Sequence, residues 1–517
     1  MANKSLFKSL IGKLLPVTDA VNHEGAPAYA LAPKHALAQY AATGCLSTTF
    51  YASAEDQLAK VLKLCERLEP EFIARTALFA RRRGYMKDLP ALLCAVLAVK
   101  SPGLLAEVFD RVLDDARMVR NFVQIVRSGV TGRKSLGTLP KRLIVQWMEN
   151  RSDDALFRAS IGNDPSLADI VKMTHPKPST ETRKALFAYL IGRPHDAERL
   201  PKLVREYEAF KAGRSNQMPD VPMQMLTALK LNKGQWMDIA RRAPWQALRM
   251  NLNTFARHGV FDNPHLTRQL AVKLTDADAI AKAKVFPYQL MTAYSMTAAE
   301  VPTIIREALQ DAMEIALKNV PRIAGSIFIC PDVSGSMQSP ATGVRKGATS
   351  VVRCIDVAAL VAAAMLRNNR HATVIPFEQD VVALSLNARD SVMTNAQKLA
   401  SIGGGGTNCS APLAMLNRQR AMGDLVVYVS DNESWVDAKG GRGTEMMREW
   451  ERFKYRNPEA RLVCIDIQPN GTTQAVERAD VLNIGGFSDS VFQLLEDFAS
   501  GRMNQDHWIG VIEAERL

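Results

Sequence analysis

Two hydrophobic rhythms that cannot serve one fold divide this 517-residue chain near residue 322. From about Ala54 to Val320, runs such as DQLAKVLKLCERL, FIARTALFARRR, LLAEVFDRVLDDA and TIIREALQDAMEIAL space apolar residues three and four apart, the period of amphipathic helices. Prolines at 70, 90, 102, 140, 221, 244, 264, 302 and 321 fall near the starts of these runs, where a missing N–H does no harm. No strict repeat is present. Many short helices in series nevertheless predict a HEAT-like α-solenoid, in which each helical pair buries its face on its neighbours. After Pro321 the texture changes: GSIFICPD, HATVIPF, DLVVYVSD, RLVCIDI and DVLNIGG are short β-rich runs separated by helical stretches such as TEMMREWERFKYR. Alternating strands and helices predict a doubly wound, mostly parallel sheet with its ligand site at the carboxyl ends of the strands. The expected organisation is an α-helical repeat domain over 1–322 and a doubly wound α/β domain over 323–517.

Charge follows the same division. The chain carries a net +12, but residues 325–517 hold 19 basic and 22 acidic residues, so the excess, +15, lies before them. A polyanion is the expected partner of the helical part. No window reaches the ~18 apolar residues of a membrane span, and the amphipathic start, MANKSLFKSLIGKLL, lacks a secretory core and cleavage site. Seven cysteines stand far apart without a CxxC pair, as expected of reduced core thiols in a cytoplasmic protein.

Three segments of the second part point to one chemistry. Asp332, Ser334 and Ser336 alternate in a turn directly after the first strand-like run; Thr407 ends the loop Gly403 to Gly406; Asp431 follows LVVYVS. All five donors are oxygen, which favours a hard cation, Mg²⁺ first and Ca²⁺ or Mn²⁺ next, over zinc. Two carboxylates and three hydroxyls leave one octahedral position for water or a partner's acidic group. Phosphate binding by the glycine run is disfavoured, because no GxxxxGK[ST] occurs. A hydrolytic serine lacks the GxSxG elbow. A two-metal nuclease would need more carboxylates and a general base. DVSGS, GGGGT and VVYVSD resemble the metal-ion-dependent adhesion site of von Willebrand factor A domains, whose sites hold ligands and seldom catalyse.

In the helical part, Arg127 to Arg142 contains five basic residues, among them Arg133, Lys134, Lys141 and Arg142, within a Gly/Ser/Thr-rich loop that opens a helix. Backbone amides and hydroxyls there suit phosphate contacts. Arg81, Arg82, Arg83 and Lys87 form a second cluster at a helix end, and Lys172 and His175 close a third helix before Pro176.

GRKSLGTLPKR, DIVKMTHPKPS and the terminal position of the DVSGS domain resemble the TROVE family, the Ro ribonucleoprotein autoantigens and their bacterial relatives. The resemblance covers essentially the whole chain. It implies a monomeric helical ring closed by the A-type domain, a basic outer surface for small structured noncoding Y RNAs, and a central hole for single-stranded 3′ ends of misfolded RNA. It makes His175 a Y RNA contact and places a family basic position at Arg158. The intervening RASIGNDPSLAD lacks the basic, aromatic run of animal members, so the resemblance leaves that surface to be rebuilt from Arg133, Lys134, Lys141 and Arg142. The expected function is noncatalytic RNA binding in RNA quality control or turnover, with an RNA-degrading exonuclease or another protein docking at the metal site. The competing expectation is a metal-dependent protein-interaction scaffold whose basic charge is incidental.

Overall fold

Helical periodicity before residue 320 and strand–helix alternation after it both appear in the computed structural model, which describes residues 15–43, 46–283, 285, 287–317, 320–341, 352–435, 443–486, 489–501 and 507–517. Cys45 and most of the amphipathic N-terminal run lie outside these residues. The described residues within Cys65–Lys284, Thr297–Ala312 and Glu513–Leu517 form one compact unit, and those within Met1–Leu64, Val285–Met296 and Met313–Ile512 form the other. These units are not cut at residue 322: residues 15–64 pack with the α/β part, and the last five residues return to the helices.

The helical unit is built from short, well-stopped helices in series. Pro70, Pro102 and Pro264 each occupy the first turn of their helices, where proline's fixed φ suits the fold. The helix Ala116–Ser128 starts on Asp115, whose carboxylate accepts from Met118 N at 2.8 Å, and stops on Gly129 at φ 85°. Sequential helices cover one another's apolar stripes: Pro70–Arg82 lies against Asp88–Lys100 and Pro102–Val112, and Asp88–Lys100 against Ala116–Ser128. Indole groups tie turns to this core, Trp147 donating to Leu113 O at 2.7 Å and Trp245 to Leu274 O at 3.0 Å. Arg183, almost fully buried, is satisfied by Asp153, by Met148 O at 3.1 Å and by Arg151 O at 2.6 Å. It thereby fastens the helix Glu181–Leu190 to the helices Thr138–Glu149 and Asp153–Arg158.

The α/β unit begins with a hairpin, β1 (Ala20–Val21) and β2 (Pro27–Ala30). Its main sheet comprises β3 (Ile327–Pro331), β4 (Thr373–Val374), β5 (Leu425–Ser430), β6 (Arg461–Asp466) and, after the short β7 (Thr472–Thr473), β8 (Val481–Gly485). The order is β4-β3-β5-β6-β8 and every pairing is parallel, with Ile329 opposite Val427 and Val427 opposite Val463. Parallel strands need both faces covered, which explains the unbroken burial of β3, β5 and β8. The helix Cys354–Asn368, buried nearly all round, lies against β3 and β5. Elsewhere in the sheet's core Tyr428 packs with Met446, Trp450 and Phe453. The chain reverses its winding between β3 and β5, and that switch point opens a crevice at the strands' carboxyl ends. Meanwhile β2 pairs with β7 through Tyr29 and Thr473, so the N-terminal hairpin is knit into this unit. Among the described residues no helix is long and apolar enough to cross a membrane, and the six described cysteines are buried and form no disulfide with one another.

Trp450 is fully buried, stacks on Phe453 at 5.7 Å and donates to Asp480 at 2.9 Å. Trp450→Ala is expected to remove about 3–5 kcal/mol from the α/β unit. Urea unfolding followed by circular dichroism should show an earlier transition, and an unmoved midpoint would contradict this account of the core.

Candidate metal centre and basic surface

The two strands flanking the switch point deliver the two candidate carboxylates. Asp332 follows β3 and donates its own N–H to Val429 O at 3.0 Å, while Asp431 follows β5. Three loops are then laced together. Gly335 N donates to Gly405 O at 2.8 Å, joining the Asp332 turn to the glycine loop, and Trp435 N donates to Thr407 O at 3.2 Å, joining that loop to the Asp431 segment. Inside the first turn Ser334 N donates to Asp332 Oδ1 at 2.9 Å, and the hydroxyls of Ser334 and Ser336 lie 3.3 Å apart. Asp332, Ser334, Ser336, Thr407 and Asp431 are all buried, and the three segments that carry them are joined at one edge of the sheet.

The glycine run has a steric reason. A Cβ on Gly405 would sit 2.5 Å from the Glu378 carboxyl carbon, and one on Gly406 would meet the Trp435 indole nitrogen at 2.3 Å. Gly404, at φ 126°, holds a backbone conformation closed to side chains. The run is therefore a close-packing device, and Glu378 locks it by accepting from Gly405 N at 2.9 Å.

Electrostatics here are unbalanced. Burial pushes the Asp332 carboxyl up, against the hydrogen bonds it receives from Ser334 and Ser430. Burial and then the charge of Asp332 push Asp431 up to about 7. Glu433, two residues on, is pushed up to about 8, again chiefly by burial. Buried carboxylates in such proximity create a demand for positive charge. The donors around them are hydroxyls and carboxylates, the set a hard cation takes. Among the described residues no three His, Cys, Asp or Glu gather as a metal-binding group, so any such site depends on Ser334, Ser336 and Thr407.

Several participants carried no sequence signal. Ser430 Oγ donates to Asp332 Oδ2 at 2.6 Å and takes the Asn432 N–H at 2.9 Å, holding the turn at φ 65° on Asn432. From more than four hundred residues away, Asn22 donates to Ser434 O at 2.5 Å and His23 N to Glu433 at 2.8 Å. Pairing of β2 with β7 helps to bring them there.

In the helical unit the basic candidates separate by whether their charge is engaged. Arg81 is shared by Asp114 at 2.6 Å and Asp115 at 3.2 Å, Arg83 pairs with Glu515 at 2.9 Å, with Arg82 4.0 Å from the same carboxylate. Lys87 is lowered by burial and by Arg117. Arg158 is held by Asp220 at 2.7 Å. Arg133 folds back, donating to Ser135 O at 2.9 Å and Ala98 O at 3.1 Å, and so shapes the loop. Lys134, Lys141, Arg142, Lys172 and His175 are exposed, and among the described residues no ion pair engages them. Arg127 approaches Met173 Sδ at 3.3 Å, which sets the ends of Ala116–Ser128 and Leu167–Thr174 side by side. The glycine-bearing loop and the Lys172–His175 end therefore share one region of this unit.

Comparison with known proteins agrees with this two-part construction. The TROVE domain pattern matches residues 108–319, and the Ro60 vWA domain pattern matches residues 327–499. The chain is 24% identical to a Deinococcus radiodurans protein named RNA-binding protein RO60, over 93% of this chain and 95% of that one. It is 21% identical to a Caenorhabditis elegans protein of the same name, over 50% of this chain and 41% of that one. The crystal structure of the Deinococcus radiodurans RO (RSR) protein superposes with a TM-score of 0.62 at 20% identity, covering 91% of this chain and all of that one. That likeness establishes the shared fold.

The raised carboxylates have a consequence for stability. Asp431 keeps its proton to about pH 7 when folded but ionises near 3.8 when unfolded, so in chelator stability falls as pH rises between those values. Asp431→Asn removes the buried like charge. At pH 8 without metal it should raise the melting temperature by about 2–4 °C, what roughly 1 kcal/mol gives in a domain of this size. A variant melting below the parent at pH 8 would contradict the like-charge explanation.

Proposed function

The chain is a TROVE-domain protein that ends in a Ro60-type von Willebrand factor A domain, and on that premise we propose that it binds RNA through its helical unit without catalysing a reaction on it. The observation that carries this reading is the segregation of charge: +15 before residue 325 and −3 from there on, with Lys134, Lys141, Arg142 and Lys172 exposed and in no ion pair among the described residues. Lysines and arginines left free on one region meet phosphates by releasing counterions. Hydroxyl and amide donors of the adjoining Gly129–Gly137 loop would add backbone contacts without reading sequence. The RNA that fits best is a small structured Y-like RNA, and single-stranded ends of misfolded RNA are the second class. On this reading the protein acts in RNA quality control or turnover.

The α/β unit has a separate role in this proposal. Asp332, Ser334, Ser336, Thr407 and Asp431 would hold a divalent cation, Mg²⁺ foremost, and the cation would supply a docking point for an acidic group rather than a reaction centre. The buried carboxylate pair supports that part. A protein partner, such as an RNA-degrading exonuclease, would dock there.

Binding of a structured small RNA, measured at two salt concentrations, tests the main claim. Affinity should fall steeply, log K by roughly 0.7–0.9 per phosphate contact against log salt. The double variant Lys141→Ala, Arg142→Ala should weaken binding by about tenfold or more and flatten that slope. Asp332→Ala should leave RNA affinity unchanged. No binding at low salt, or equal losses from both variants, would overturn the assignment.

A further inference from the structure

The amino end of the α/β sheet, opposite the candidate metal centre, carries a second constellation that no motif announces. A pocket of about 620 Å³ opens where the chain enters β3 and where the helix Cys354–Asn368 hands over to β4. Arg322, Arg367, Arg370 and His371 line it, and none of its lining residues is acidic among the described residues. Two asparagines fix its walls. Asn368 donates to Val320 O at 2.7 Å, while buried Asn369 donates to Pro321 O at 3.0 Å and accepts from Ile323 N at 2.8 Å. The segment before β3 is thereby clipped across the helix end. Arg367 belongs to the wall, donating to Arg389 O at 3.0 Å and lying 3.7 Å from the Glu314 carboxylate. Asp424, which adjoins Gly325, is occupied by Ser326 N at 2.8 Å. Arg322, Arg370 and His371 are exposed, and among the described residues no ion pair engages them. Cations in the last turn of a helix answer its dipole, an effect confined to that turn. It accounts for Arg367, but not for Arg370 beyond the helix end or for Arg322, which comes from another segment.

We propose that this pocket is a phosphate site, which takes the phosphomonoester of a nucleotide, either free or at the end of an RNA strand. A guanidinium presents its N–H donors in a planar fork that matches two phosphate oxygens at once. Two such forks without carboxylate partners, converging from separate segments with an imidazole beside them, suit a doubly charged group better than a single carboxylate. Ile323 and Ile327 add an apolar wall against which a sugar or base can lie. The volume falls within the roughly 300–1,000 Å³ of small-molecule pockets. The residues from 325 on carry a net −3, so a pocket lined this way runs against the charge of the unit that holds it. The inference stands apart from the metal reading, because the five residues of β3, roughly 16 Å of strand, separate the pocket from Asp332.

The experiment is calorimetric titration of the full-length chain with two pairs of probes. One pair is a nucleoside 5′-monophosphate and the same nucleoside without phosphate; the other is a short single-stranded RNA with a 5′-phosphate or a 5′-hydroxyl. The phosphate-bearing member should bind about tenfold tighter or more, the size of one charge-assisted contact. A preference in the first pair identifies a free nucleotide as the ligand, and one confined to the second pair identifies a strand end. Arg322→Ala and Arg370→Ala should each reduce that preference about tenfold. Both side chains are exposed, so the variants should melt with the parent. Lys141→Ala, Arg142→Ala should lower RNA affinity as a whole yet leave the phosphate preference intact, which separates this proposal from RNA binding by the helical unit. Equal binding with and without phosphate in both pairs, or a parental preference in both arginine variants, would overturn it.

Discussion

Two carboxylates buried side by side at the switch point of a parallel sheet are the constraint around which the α/β unit is arranged. Asp332 and Asp431 end adjacent strands, so the sheet's own spacing fixes their approach. Their desolvation is resisted by hydroxyls and backbone groups: Ser430 on Asp332, Ser334 N on the same carboxylate, and Glu433 N facing Asp431. Around them the loops are laced by single hydrogen bonds, Gly335 to Gly405 and Trp435 to Thr407. Hydroxyls can moderate a buried negative charge but cannot cancel it. The unit has kept polarity where an apolar core would be more stable.

The helical unit makes the opposite choice. Its interior is closed by apolar faces, by indoles bonded to turn carbonyls, and by one buried guanidinium with all its partners. Its cations stand mostly on the surface. Some are absorbed into the fold: Arg81 and Arg83 answer Asp114 and Glu515, and Arg158 answers Asp220. Others are left to solvent around the Gly129–Gly137 loop and the end at His175. A surface pair contributes little to stability, so an unengaged cation is an inexpensive thing for a fold to keep. In the proposed function this contrast becomes a division of labour, polyanion contact being proposed for the helices and cation-dependent docking for the sheet.

Much of this was legible in the chain itself, because period and spacing are local properties. The five strand-like runs after Pro321 became β3, β4, β5, β6 and β8, since a run of β-branched and apolar residues bounded by Asp and Gly has few other uses. The helical runs from Ala54 onward formed helices, with Pro and Asp at their starts. The motif residues gathered because each follows a strand or a glycine turn at the same edge of the sheet.

Which distant groups meet is a matter for the folded chain alone. Asn22 and His23 carry no motif, and a two-residue strand such as β1 is too short to announce itself by alternation. They reach the Asp431 rim through pairing of β2 with β7, an event with no local signature. The same holds for charge. Arg81, Arg83 and Lys141 look alike in a sequence, and only the positions of Asp114 and Glu515 separate the spent cations from the free one. Local order is written residue by residue, whereas the balance of a charge belongs to whatever the fold sets beside it.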